Sequence, residues 1–153
     1  MDLAALIQPQ TVKIPLEAVD KEEAIAELLE LLVRAGCVAD REGALNALYD
    51  REEKGTTGIG GGVAIPHAKH ADVTGVALAV GVSRDGIDFD ATDGELVYLV
   101  FLVVAEPHNP GPNIEVLADI GHLMQLPGVY ESMISARSCD ELVGAILRVK
   151  VEL

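Results

Sequence analysis

The sequence predicts an α/β fold, a three-layer α/β/α sandwich around a small mixed β-sheet. Two almost wholly apolar segments, residues 73–82 and 96–105, are typical of strands that are buried on both faces. Segments with helical spacing of apolar residues precede and follow them, so helices can cover both faces of the sheet. Hairpin-length turns at residues 83–86 and 93–94 join the middle strands, which requires some antiparallel neighbours.

The first elements are a short strand and two helices. Residues 11–14 alternate between polar and apolar side chains, which predicts a strand at a sheet edge. Asp20 is typical of a helix start, and apolar residues then recur at helical spacing as far as Gly36. A second helix is expected from Asp40, with Arg51 in its last turn.

The C-terminal half is predicted to close with helices. Residues 87–90 alternate briefly before the second apolar strand. Residues 106–112 contain three prolines and predict a loop. Helices are expected over residues 114–126 and 129–136, and a last one is expected to be capped by Ser138.

Composition and charge limit the classes of protein to which the chain can belong. We expect one domain over residues 1–153, because half of the residues are hydrophobic and can form a full core. The formal net charge of -14 argues against a nucleic-acid partner and an anionic membrane surface. The longest apolar run is too short for a membrane helix, and the N-terminus does not resemble a signal peptide. Cys37 and Cys139 lack metal-ligand spacing, which predicts reduced core thiols and a cytoplasmic protein.

Glycine is concentrated in one segment, since five of the fifteen glycines lie within residues 55–62. Glycine allows positive φ angles and close approach of a ligand to backbone N–H groups, so the segment suggests an anion-binding loop. A dinucleotide fingerprint would need glycine where Val63 stands, and no Gly-Lys-Ser or Gly-Lys-Thr follows for a nucleotide P-loop. With these two motifs excluded, what remains is a glycine-rich loop with a cation before it, Arg51, and a histidine after it, His67. This set of groups suits a phosphoryl group held on an imidazole.

The sequence Thr-Thr-Gly-Ile-Gly-x-Gly-Val-Ala-Ile-Pro-His at residues 56–67 follows Ala-Leu-Tyr-Asp-Arg-Glu at 47–52. Together they resemble the active-site motif of the fructose/mannitol-type IIA domains of the bacterial phosphotransferase system, a family that includes nitrogen-regulatory IIA proteins. Residues 89–93 and 138–142 also resemble the family pattern, so the likeness covers nearly the whole chain. It implies a mannitol-type IIA architecture and a cytoplasmic phosphocarrier, a phosphotransferase component that needs no cofactor.

The resemblance implies a role for each residue of the motif. His67 would accept the phosphoryl group, because neutral imidazole, with a pKa of about 6.5, is a good nucleophile near neutral pH. Arg51 would stabilise the charge of the phosphoryl oxygens; the alternative is an ordinary cation favoured by the helix dipole. Thr57, Thr56 and Gly58 would bind the phosphoryl oxygens. The alternative for the hydroxyls is a hydrogen bond that stabilises the loop.

One position departs from the family pattern. Members that relay phosphate to sugar permeases carry a second histidine at the start of the helix after the long apolar strand. Alignment from residues 138–142 backwards puts Asn113 at that place, and His108 lies five residues too early to replace the histidine. We therefore expect Asn113 to lie beside the phosphoryl group and to weaken its onward transfer.

The resemblance also implies partners. The donor would be an HPr-like phosphocarrier protein, and the acceptor would be a IIB-type domain or a regulatory target protein. Neither nucleic acid nor membrane insertion is expected. Because Asn113 replaces the second histidine, a hypothesis of another class stays open, a IIA-like regulatory interaction module with weak or no phosphoryl relay.

The histidines also allow two other interpretations. His67 and His70 form a His-x-x-His pair, but no second pair or nearby carboxylate completes a metal shell, so no metal site is predicted. His70 is then expected to be exposed to solvent. A hydrolase that uses Asp88 or Asp90 with His67 is supported by composition alone.

Overall fold

The computed structural model describes residues 3–152, and the side chains of residues 3–149. The helices are α1 (Leu3–Leu6), a 3₁₀ turn (Pro9–Thr11), α2 (Lys21–Arg34), α3 (Arg41–Glu53), α4 (Pro110–Gln125), α5 (Val129–Ile134) and α6 (Cys139–Glu152). The strands are β1 (Val12–Lys13), β2 (Gly58–Gly60), β3 (Val63–Ala64), β4 (His67–Lys69), β5 (Val76–Ile87) and β6 (Val97–Ala105).

The strands form one mixed sheet in the order β1-β5-β6-β3-β2. β3 and β4 both pair with the edge of β6 that faces away from β5, and β4 pairs with the residues of β6 that follow those paired with β3. The pairs β1–β5, β3–β6 and β4–β6 are parallel, whereas β2–β3 and β5–β6 are antiparallel. One apolar cluster joins the sheet to α2 and α3, and a second joins its other face to α4, α5 and α6. The predicted α/β/α sandwich with a mixed sheet is confirmed.

Local capping signals located three helix starts correctly. The Asp20 carboxylate accepts a hydrogen bond from the Glu23 amide at 2.8 Å, and Asp40 accepts one from the Gly43 amide at 3.0 Å. The Ser138 hydroxyl accepts the Glu141 amide in the same way, at 3.1 Å. These bonds satisfy amide groups that have no partner within the helix, so the start of each helix can be predicted from short-range sequence.

The predicted turn at residues 83–86 is wrong, because the chain stays in β5 through this stretch. The pairing of β5 with β6 shifts register between Val82 and Ile87, which forms a bulge. At the bulge Gly86 has a φ of 85°, and its N–H donates to the Ser83 hydroxyl at 3.0 Å. A turn-like sequence is thus used to bend a strand, after which Ile87 pairs with Val97.

The predicted loop at residues 106–112 is too long, because α4 already begins at Pro110. Proline fits the first turn of a helix, where the backbone N–H has no intrahelical partner and the fixed φ is already helical. The Asn109 side chain caps this end by accepting the Gly111 amide at 3.4 Å. The turn of α4 that contains Asn113 therefore begins close to the end of β6.

The expectation of core thiols is wrong for Cys37, whereas Cys139 packs against the apolar cluster beneath α4, α5 and α6. Cys37 is exposed, whereas Cys139 is half-buried and donates to the Val12 carbonyl at 3.1 Å. Among the helices of residues 3–152, none has both the length and the apolar character needed to cross a membrane.

Candidate active site

The glycine-rich segment, which the sequence predicts as an anion-binding loop, leads into a tight hairpin of β2 and β3. Gly58 lies against Ala91 so closely that an added Cβ would be 2.9 Å from the alanine methyl carbon. Gly62 has a φ of 81°, and a Cβ there would lie 2.1 Å from the Tyr130 hydroxyl oxygen. These glycines are needed for close packing and for the turn that leads the chain towards His67.

His67 is the first residue of β4 and pairs with Val103 of β6. The backbone beside it is fixed, because the Val103 amide donates to the Pro66 carbonyl at 2.9 Å. The half-buried imidazole places Nδ1 2.8 Å from the Ile65 carbonyl oxygen. A carbonyl can only accept a hydrogen bond, so Nδ1 carries a proton, and in the neutral ring Nε2 then holds the lone pair.

The register of β4 shows which face of the sheet carries the imidazole. Ala68 packs against the apolar cluster under α2 and α3, and successive side chains of a strand point to opposite faces. His67 therefore projects towards α4, and its partner Val103 belongs to the cluster on that side. Since α4 starts beyond the carboxyl end of β6, Asn113 in its first turn lies on the same face and at the same end of the sheet as His67.

Asn113 is buried, with 9% of its surface exposed. Its side-chain oxygen Oδ1 is inaccessible to solvent and has no hydrogen-bond partner among the described residues. A buried acceptor without a donor costs free energy, about 1–3 kcal/mol by analogy with measured cases. The first turn of α4 therefore carries a buried acceptor without a hydrogen-bond donor, Asn113 Oδ1, at the end of the sheet where His67 lies.

Arg51 lies in the last turn of α3, as predicted, and is half-buried. Its Nη1 donates to the Gly55 carbonyl at 2.8 Å, and no carboxylate among the side chains of residues 3–149 pairs with its guanidinium. The Ile65 amide donates to the Thr57 carbonyl at 2.9 Å. α3, which carries Arg51 in its last turn, packs against β4, the strand that begins with His67.

Most donors of the three predicted loop ligands have acceptors within the protein, namely the hydroxyls of Thr56 and Thr57 and the amides of Thr57 and Gly58. Buried Thr57 donates its hydroxyl to Glu52 Oε2 at 2.7 Å and its amide to Glu52 Oε1 at 3.2 Å. The Thr56 hydroxyl donates to the Phe89 carbonyl and accepts the Gly58 amide at 3.0 Å. These contacts are the loop-stabilising hydrogen bonds that the sequence had left open as the alternative.

Sequence reasoning missed Glu52, which is 7% exposed although it is an acid near the end of a helix. The only signal was its place in the Arg-Glu pair of the motif, five residues before Thr57. Both carboxylate oxygens of Glu52 point into the glycine-rich segment, whereas the next residue, Glu53, is exposed. Two adjacent residues of α3 thus bind this segment: the Arg51 guanidinium donates to the Gly55 carbonyl, and the Glu52 carboxylate accepts from Thr57.

The expectation that His70 is solvent-exposed is wrong, because only 17% of its side-chain surface is accessible. Its ring bonds to Asp72 through Nδ1 and to Asp40 through Nε2, the latter at 3.1 Å. The Asp72 carboxylate accepts the amides of Asp40 and Ala39 at 2.6 and 2.7 Å, and these bonds together with His70 lower the pKa of Asp72. These hydrogen bonds connect the start of α3 to the residues that follow β4.

The groups considered for other chemistry lie in other contacts. Asp90 pairs with Lys21 at 3.3 Å, and Asp88 accepts the Asp90 amide at 2.8 Å. Neither carboxylate has a hydrogen bond to His67 in the described part of the chain. Within the same part of the chain, no group of three His, Cys, Asp or Glu side chains is arranged to hold a metal ion.

The comparisons with known proteins agree with the geometry. Residues 5–149 match the family described as "Phosphoenolpyruvate-dependent sugar phosphotransferase system, EIIA 2". The chain is 34% identical over 137 residues to the fructose-specific EIIA component of Haloferax volcanii, with 90% of this chain and 89% of the relative covered. It is also 34% identical over 146 residues to the fructose-specific EIIABC component of Bacillus subtilis, covering 95% of this chain but only 23% of that longer protein.

The fold is likewise similar to a solved structure, that of the nitrogen regulatory protein IIA-Ntr from Neisseria meningitidis. The TM-score is 0.85 and the sequence identity 28%, and the match covers 94% of this chain and 98% of the other. Fructose-type and nitrogen-regulatory proteins are thus both among its relatives.

Proposed function

The chain belongs to the EIIA 2 family of the phosphoenolpyruvate-dependent sugar phosphotransferase system, and from this membership we propose that it accepts a phosphoryl group on Nε2 of His67. The donor is a phosphohistidine of an HPr-like carrier protein, and the acceptor is a IIB-type domain or a regulatory target protein. We place the reaction in the cytoplasm. The supporting observation is the hydrogen bond from Nδ1 to the Ile65 carbonyl, which leaves the Nε2 lone pair for attack.

The transfer step needs little covalent chemistry beyond this lone pair. As Nε2 of His67 bonds to phosphorus, the P–N bond of the donor phosphohistidine breaks and its electron pair returns to the donor imidazole. His67 keeps its Nδ1 proton, so its ring gains positive charge when the new bond forms. The Ile65 carbonyl oxygen, 2.8 Å from Nδ1, stabilises that charge and holds the ring in one orientation.

The remaining contribution is positioning and charge stabilisation on the phosphoryl oxygens. Arg51 supplies the charge, since its guanidinium is half-buried and has spare donors besides the Nη1 that bonds to Gly55. We propose that the donors of Thr56 and Gly58 contribute by exchanging an internal acceptor for a phosphoryl oxygen. Thr57, whose hydroxyl and amide stay bonded to Glu52, contributes by holding the segment in place beside the phosphoryl group. Asn113 contributes its side-chain amide from the first turn of α4.

The test is phosphorylation of the intact protein by phosphoenolpyruvate and the general phosphotransferase proteins of its host, followed by mass spectrometry. We expect a mass gain of one phosphoryl group that depends on the carrier protein. Addition of a IIB-type domain then measures onward transfer as loss of that group. An unchanged mass under conditions where another IIA domain is fully labelled would contradict the proposal.

A second candidate function is an interaction module that binds a regulator or a transporter domain and relays phosphate weakly or not at all. The observation in its favour is the asparagine at position 113, which we infer from the family resemblance to take the place of the second histidine of relaying members. The two functions separate in the experiment above, because a module of this kind takes up little or no phosphate or fails to pass it to a IIB-type domain.

Asn113→His is expected to speed transfer from His67 to a sugar-type IIB domain several-fold. A protonated histidine adds a charge-assisted hydrogen bond to the phosphoryl group, whereas the asparagine amide donates only neutral ones. Such a difference is on the order of 1 kcal/mol, which corresponds to several-fold in rate. The rate is measured by rapid quenching after the labelled protein is mixed with the IIB domain.

The matched control is Asn46→His, the same exchange at an exposed position in the middle of α3. It should leave the transfer rate at the wild-type value. If Asn113→His and Asn46→His transfer at the same rate, Asn113 has no contact with the phosphoryl group in the transition state.

A further inference from the structure

We infer that Glu52 is a positioning residue for phosphoryl transfer, which fixes the tautomer of His67 through Thr57 and Ile65. The inference rests on the proposed function of His67 and adds a residue to which that function assigns no role. Glu52 does not touch the imidazole. It acts through a series of hydrogen bonds whose members are all buried or half-buried.

The series begins at α3 and ends at the imidazole ring. Glu52 accepts the amide and the hydroxyl of Thr57 at 3.2 and 2.7 Å. The Thr57 carbonyl accepts the Ile65 amide at 2.9 Å, and the Ile65 carbonyl accepts Nδ1 of His67 at 2.8 Å. Thr57 and Ile65 each donate through their N–H and accept through their C=O, so the bond directions follow from the backbone, and the contribution of Glu52 is to hold Thr57, and through it Ile65, in position.

A carboxylate is the one side-chain group that suits the start of this series. Both Thr57 groups that face Glu52 are donors, and an ionised carboxylate offers an acceptor oxygen to each. Glutamine has the same shape, but it would direct an NH₂ donor at one of the two donors of Thr57. The burial of Glu52, 7% exposed, leaves that donor no solvent to turn to.

A displacement at Thr57 is carried to His67 because the intervening backbone is short and paired. Ile65 is bonded to Thr57 by its amide and to His67 by its carbonyl, while Pro66 is tied to β6 through Val103. If Thr57 moves away from α3, the Ile65 carbonyl rotates and Nδ1 loses its fixed acceptor. The Nε2–H tautomer, whose Nε2 has no lone pair for attack, then becomes populated.

The first measurement is the tautomer of His67, read from the ¹⁵N chemical shifts of its two ring nitrogens by NMR. In the wild type we expect the Nδ1–H form to predominate, and in Glu52→Gln we expect a clear rise in the Nε2–H form. The control is Glu53→Gln, which removes the same charge from the adjacent exposed residue and should retain the wild-type spectrum. A wild-type tautomer ratio in Glu52→Gln overturns the inference.

The second measurement is the rate of phosphorylation by the carrier protein. Glu52→Gln is expected to lose between roughly tenfold and a hundredfold in rate, the effect of a misoriented reacting group, while Glu53→Gln keeps the wild-type rate. Equal rates for the two variants contradict the inference. If the wild type itself takes up no phosphate, the proposed function fails, and the tautomer measurement still decides the role of Glu52.

A pair of variants at Thr57 covers the case in which Glu52→Gln does not fold. Thr57→Ser keeps the hydroxyl that bonds to Glu52, and Thr57→Val keeps the shape of the side chain without the hydroxyl. We expect Thr57→Ser to retain the Nδ1–H tautomer and Thr57→Val to shift towards Nε2–H. The same tautomer ratio in both variants overturns the inference that Glu52 acts on His67 through Thr57.

Discussion

His67→Ala should abolish the phosphorylation of this protein by the carrier protein, the largest effect that we expect from any single substitution. The wild type should take up one phosphoryl group that is labile in acid and stable in base, as a phosphoramidate is. The alanine variant keeps the strand, because β4 is held to β6 by backbone hydrogen bonds that do not involve the imidazole. The measurement is intact mass before and after acid treatment, together with the thermal unfolding of both proteins.

His108→Ala is the matched control, because it removes an exposed imidazole from the segment between β6 and α4 at the same end of the sheet. It should be labelled like the wild type. Labelling that persists in His67→Ala and disappears in His108→Ala would move the nucleophile to the second residue. Persistence in both variants would exclude His67 and His108 alike as the single nucleophile.

The parts of the fold that the sequence predicted well depend on short-range chemistry. Asp20, Asp40 and Ser138 each cap a helix within three residues, and such bonds need no information about the rest of the chain. The two apolar strands were recognised because neither of their faces carries polar residues. The layers on both sides of the sheet follow from that observation.

The parts that were predicted wrongly depend on pairing between distant strands. Residues 83–86 have the composition of a turn, but the pairing of Ile87 with Val97 keeps them in β5 and turns the extra residues into a bulge. Strands β2 and β3 are only three and two residues long, too short to show a period in the sequence. Contact with β6 makes Val63 and Ala64 a strand, and local sequence does not reveal that contact.

The residues of the candidate site also divide into those that local sequence signals predict and those that depend on long-range contacts. The sequence placed Arg51 at the end of a helix and His67 after a glycine-rich segment, because both positions follow from local signals and from the motif. It did not reveal the acceptor of Thr57, since Glu52 reaches this residue only when the chain turns back on α3. Contacts of this kind set the tautomer and the position of the reacting group, and they required the structure.

Arg51→Ala should slow phosphorylation of His67 by about 10²–10³-fold, the range found when a single charge-stabilising donor is removed from an active site. The guanidinium has no carboxylate partner among the described residues, so its charge is available to the phosphoryl oxygens. Arg51→Lys should be intermediate, because lysine keeps the charge but loses the planar arrangement of donors that matches two phosphoryl oxygens. The measurement is the single-turnover rate of phosphate transfer from the labelled carrier protein.

The loss of rate must be separated from a loss of structure, since Arg51 also donates to the Gly55 carbonyl at 2.8 Å. Removing this bond should lower the free energy of unfolding by about 1–2 kcal/mol, which leaves the protein folded. Arg34→Ala is the matched control, because Arg34 lies in the last turn of α2 and pairs with Glu30 on an exposed surface. If Arg51→Ala and Arg34→Ala are phosphorylated at the same rate, Arg51 is only a helix-end cation, stabilised by the dipole and remote from the reacting phosphorus.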